Sequence, residues 1–114
     1  MTIPKEITEI PWRQPWHPIE PPRPEPRLKE AGRQHVLYER KVVAIGRRYD
    51  MDDFVFYLPE GPAVLAVVHV TYSSKVPDPN PQIPWTDLYA SVQEFIDQRM
   101  IPDADEISQA GANP

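Results

Sequence analysis

Few side chains in this sequence can do chemistry, and they are scattered. The three histidines stand at positions 17, 35 and 69, and there is no cysteine. No two histidines have the close spacing of a zinc site, and thiolate ligands and nucleophiles are absent. His69 is the most interesting of the three. A histidine oriented by a carboxylate can serve as a general acid or base, and Asp52 or Asp53 could supply that carboxylate. Yet His69 shares a strand face with Leu65, Val67 and Thr71, so the simpler expectation is a buried or half-buried structural histidine with a local partner. Asp50, Asp52 and Asp53 resemble the start of a metal loop. The glycine and distal glutamate of a calcium-binding loop are missing, so a turn with solvated carboxylates is expected. Ser73 and Ser74 lie outside any nucleophile elbow. No phosphate loop and no dinucleotide-binding glycine pattern is present. Arg47 and Arg48 precede the acidic turn and are expected to pair with it. The sequence therefore assigns no catalytic residue, no metal and no cofactor.

Two tryptophans, Trp12 and Trp16, are the other candidates. They sit in IPWRQPWHPIEPPRPEP, where prolines recur too often for a helix or a central strand. Extended or polyproline II structure is expected. A free linker rarely carries two tryptophans so close together. The rings either pack back on their own domain as a wrapping arm or dock on another molecule. A PxxP match from Pro21 to Pro24 is a weak signal in any proline-dense segment.

The elements that must position these groups centre on Lys41–Ser74. Three β-rich runs are separated by an aspartate-rich turn and by Pro59-Glu60-Gly61-Pro62. The third run, Ala63–Tyr72, is apolar on both faces and should be covered on both. Its short connections point to an antiparallel meander. Arg27–Ala31 reads as a short helix stopped by Gly32, and Leu28, Leu37 and Tyr38 as its anchors. Ser73–Pro84 reads as a stiff proline-rich loop pinned by Trp85. Ser91 and Glu94 form a capping box for a helix that could begin as early as Thr86 or Asp87. Val92, Phe95, Ile96 and Met100 give it an apolar stripe, with Phe95 expected against Val68. Pro102 should end it.

Composition sets outer bounds. The 114 residues suffice for one modest core. Half of the 16 prolines precede Leu28. That divides the chain into an arm (1–26), a compact domain (27–106) and a tail expected to fray (107–114). Residues 1–48 carry ten basic and six acidic side chains, whereas residues 49–114 carry two and eleven. So acidic a second half argues against nucleic acid as a partner. The N-terminus has no apolar core of signal-peptide length, and Ala63–Val68 is too short to span a bilayer. A cytoplasmic protein without membrane contact is expected.

The stretches RKVVAIGRRYDMDDFVF and AVVHVTYS, followed by PWT and a helix ending RMIPD, resemble a group of short uncharacterised bacterial proteins. Their third strand often reads AVVH[VL]T[YW]S. The resemblance covers about residues 35–105 and implies a compact bacterial domain, without assigning an activity or a site residue. The combined expectation is an α+β domain. It has a meander of three or four antiparallel strands, one C-terminal helix on a face and a proline-rich arm. Function is expected to lie in non-catalytic binding of a protein partner or a second subunit, in the manner of an immunity protein or antitoxin. Trp12, Trp16, Arg47, Asp52, Asp53 and His69 are its candidate contacts. A small cofactor-independent enzyme using His69, or a small-molecule sensor, is the alternative.

Overall fold

The computed structural model describes residues 3–25, 31–70 and 84–112, with side chains described as far as residue 109. The chain is α+β. A short helix α1 (Lys5–Thr8) leads into five strands: β1 (Trp16–Glu25), β2 (Val42–Arg48), β3 (Asp53–Tyr57), β4 (Leu65–His69) and β5 (Trp85–Tyr89). They form one antiparallel sheet in chain order, so each strand pairs with its sequence neighbours, and among the described residues β1 and β5 are the edges. Helix α2 (Val92–Phe95) continues through a π-helical turn, Ile96–Met100, into α3 (Ile101–Ala112).

The meander thus has five strands rather than three or four, and both additions come from segments read otherwise. The proline-rich arm supplies β1. Proline cannot donate to a ladder, so such a strand is confined to an edge. Its pairing with β2 is interrupted: Pro18 faces Gly46 and Arg23 faces Ala44, so four residues of β1 bow out opposite Ile45 alone. The other addition, Trp85–Tyr89, had the apolar spacing of a helix start. Its Trp, Thr and Tyr favour a strand, and β4 would otherwise leave a row of backbone groups unpaired.

The two faces of the sheet bury separate cores, as the doubly apolar third run requires. Val43, Ile45, Val55, Leu65 and Val67 pack on one side with Trp16, Phe95 and Met100. Val42, Ala44, Phe54, Phe56, Ala66 and Val68 pack on the other with Leu37. Phe95 therefore lies across the sheet from Val68, not against it. Strand alternation puts Leu65 and Val67 on the helix side. Phe95 is fully buried and meets Trp16, Tyr89 and Trp12 edge-on, with centroids 5.5, 5.8 and 6.5 Å away.

The capping box forms. The Ser91 hydroxyl accepts the Glu94 N–H at 3.1 Å, and the Glu94 carboxylate accepts the Ala90 N–H at 3.0 Å. That is one residue earlier than the usual reciprocal bond. Pro102 does not end the helix. In the widened turn the Ile101 N–H reaches the Ile96 carbonyl, five residues back. The wider turn gives the proline ring room beside carbonyls that it would crowd in an α-helix. The segment expected to fray is helical as far as Ala112. Of the helix expected at Arg27–Ala31, all but Ala31, which is not helical, lies outside the described residues, as does most of the loop expected at Ser73–Pro84.

Candidate functional site

Antiparallel register brings a row of functional side chains to one end of the sheet, on the helix side. Trp16 pairs with Arg48, Asp53 with His69, and His69 with Trp85. The turn Tyr49–Asp52 closes the β2–β3 hairpin beside this row. Arg99 from the π turn and Asp103 from α3 descend on it from above. The row thus draws on all five strands and the helix.

Its inner part is a closed ionic network. The Trp16 indole Nε1–H donates to Asp103 Oδ2 at 2.8 Å. The Arg48 guanidinium grips Asp50 through two bonds of 2.9 and 2.8 Å and reaches Asp103 at 3.2 Å. Arg99 extends to Asp53 at 3.0 Å, Asp87 at 3.0 Å and Asp103 at 3.3 Å. The hydrogen bond from Arg48 holds the Asp50 carboxyl below its usual range, against the effect of its burial. That same bond, with Asp103, raises Arg48 although burial opposes its charge. Burial is the largest influence on Arg99 and works against its charge. Tyr89, Asp103 and Asp53 together outweigh it and raise the group. Burial pushes the Tyr89 hydroxyl up, although Arg99 partly offsets this.

The outer part is open. Asp53 is buried, and its two oxygens are divided between Arg99 and His69. His69 Nδ1 lies 2.6 Å from Asp53 Oδ1. A carboxylate can only accept, so the His69 Nδ1–H donates in this contact. The His69 side chain is half exposed. Beside it on the outermost strand stands Trp85, 55% exposed, with Asp87 on the same face. Trp85 was expected to pin the loop to the core. Its ring lies largely in solvent instead, because β5 is an edge and the helix covers the sheet nearer Tyr89 and Phe95.

The remaining candidates are dispersed. Trp12 and Trp16 both pack on their own core. Arg47 does not pair with the acidic turn. Alternation sends it to the face opposite Arg48, where its guanidinium lies 4.9 Å from the centroid of Phe54. The Asp52 side chain is exposed, and its backbone carbonyl accepts the Val70 N–H. Of the two possible carboxylates, Asp53 is therefore the one beside His69. His35 is the buried structural histidine. Its Nδ1 accepts the Leu37 N–H at 3.0 Å, so Nε2 is the donor to the Pro84 carbonyl at 2.8 Å. His17 contacts the Pro18 carbonyl. Sequence reasoning missed Arg99, Asp103 and Trp85. The first two sit four apart on a helix, the spacing of a same-face ion pair. For Trp85 the signal is the strand propensity of WTDLY.

No group of three metal-ligating side chains occurs among the described residues. No helix among them is long and apolar enough to cross a membrane. No family model, curated protein or solved structure matches the chain.

Proposed function

We propose that the protein is a non-catalytic protein-binding module of the bacterial cytoplasm. Its docking surface is the β5 edge with the His69–Trp85–Asp87 face beside it. One observation carries this reading: a largely exposed tryptophan on the outermost strand of the sheet. An edge strand offers unpaired backbone groups to an incoming strand, and tryptophan is among the residues that dominate binding energy at interfaces. Leu88, 39% exposed on the opposite face of β5, gives the same strand a second apolar contact. The resemblance of the AVVHVTYS strand to short bacterial proteins agrees with a small module and adds no site residue.

The test is capture of partners from the source cells on immobilised wild-type protein and on Trp85→Ala and Leu88→Lys variants. A protein retained by the wild type and lost by both folded variants supports the reading. Equal retention by all three overturns it. The 2.6 Å contact between His69 and buried Asp53 favours a second reading, a small enzyme with His69 Nε2 as general base. A His69→Gln variant that folds normally but loses a measured turnover would decide for it.

A further inference from the structure

The bowed segment of β1 makes a concave surface at the opposite end of the sheet order from β5. Residues 19–22 leave the ladder opposite Ile45, and α1 with the chain after it forms the facing wall. The result is a cavity of about 410 Å³, within the range of small-molecule sites. The residues around it are mainly apolar: Ile7 and Ile10 from the α1 side and Ile45 from β2, all three nearly buried in the core beneath it, with Pro18, Ile19 and Pro22 from β1. Trp12 lines it too. The ring sits directly on the backbone of Gly46, where an added Cβ would stand only 2.3 Å from the indole Cη2. Gly46 thus lets the indole lie against the sheet and form part of the wall.

The charge of the cavity is one-sided. Among the described residues that line it, Glu20 alone is charged. An aromatic ring and a carboxylate lining one apolar pocket are two groups that recognise an organic cation, the ring through its negative face. We infer that this cavity binds a small apolar molecule carrying one positive charge, an alkylammonium in chemical class, with its ammonium group between Trp12 and Glu20. The site is separate from the β5 surface and does not rest on the protein-binding reading.

Calorimetric titration of the full chain with octylammonium, octanoate and octanol at pH 7 tests it. One octylammonium is expected to bind per chain, with octanoate at least about tenfold weaker because Glu20 repels it. Glu20→Gln should weaken octylammonium about five- to tenfold and leave octanol unchanged. Thr8→Trp places a large ring at the exposed rim of the cavity and should abolish binding of all three, with the melting temperature reporting that the variant is folded. Octanoate binding as tightly as octylammonium overturns the inference. So does an unchanged affinity in Glu20→Gln, or the absence of saturable heat at millimolar octylammonium. A net charge of −5 attracts cations weakly everywhere. One-to-one stoichiometry and the Glu20 dependence separate the cavity from that background.

Discussion

At the scale of residues, the row at the sheet end joins groups whose partners could not be found by counting along the chain. Asp53 and Arg99 are 46 positions apart, and Trp16 and Asp103 are 87 apart. Two outcomes follow from their chemistry. Asp53→Asn leaves Arg99 facing a neutral amide and removes a charged acceptor from His69. It should lower stability by about 2–3 kcal/mol, the scale of hydrogen bonds to charged groups, in urea titrations at pH 7. Asp50 gives a pH effect. Its carboxyl ionises at lower pH in the folded chain than in the unfolded chain, chiefly because Arg48 donates to it. The unfolded chain therefore binds the proton more readily. The contribution is fully present above the ordinary aspartate pKa of about 3.9 and is lost as pH falls through the depressed folded value. Asp50→Asn should show a shallower fall in melting temperature than the wild type below about pH 4. Equal slopes would mean that the pair with Arg48 does not persist in solution.

At the scale of elements, the alternating apolar runs fixed β2, β3 and β4 and the two covered faces, while competing signals obscured β1 and β5. Prolines argued against a helix or a central strand through residues 16–25, and the segment is a strand at the edge, where lost donors are tolerated. Leu88, Tyr89 and Val92 fit a helical stripe as well as a strand and a cap, because short apolar runs are ambiguous between the two periods. The site was legible to the extent of the Asp53–His69 pairing, which follows from adjacent strands of a meander. Arg99 depended on a π turn that sequence spacing does not announce. The cap and the helix face can be tested directly. Ser91→Ala should cost about 0.5–2 kcal/mol, because the Glu94 N–H loses its acceptor at the first turn. A neutral result would place Ser91 inside a longer helix. Phe95→Ala should cost about 3–5 kcal/mol by denaturant midpoint, since three aromatic rings close on it and cannot all follow the void. A loss below about 1 kcal/mol would show that this side of the core collapses freely around the cavity.

At the scale of the whole molecule, the N-terminal segment is part of the fold rather than an appendage. Ile7, Ile10 and Trp16 are buried in the same core as Phe95 and Met100. Trp16 also ties the first strand to the last helix through Asp103. Deleting residues 1–20 should uncover Phe95, strip β2 of much of its partner strand and drive aggregation, seen as a rise in scattered light at constant concentration. A truncated protein of unchanged size and melting temperature would show that the arm is dispensable for folding. The charge division has a structural counterpart here. The basic first half supplies Arg48 and the acidic second half supplies Asp50 and Asp103, so part of the opposed charge is neutralised within one chain.

The two borders of the sheet differ in valency. Along β1, prolines at 18, 21, 22 and 24 lack the N–H that a new neighbour would need, and the bow spoils the straight run of the strand. Along β5, Trp85–Tyr89 contains no proline. Among the described residues, a strand can thus be added on one side only. If two copies pair through β5, each presents its blocked border outward, and growth stops at a twofold dimer instead of continuing into a fibre.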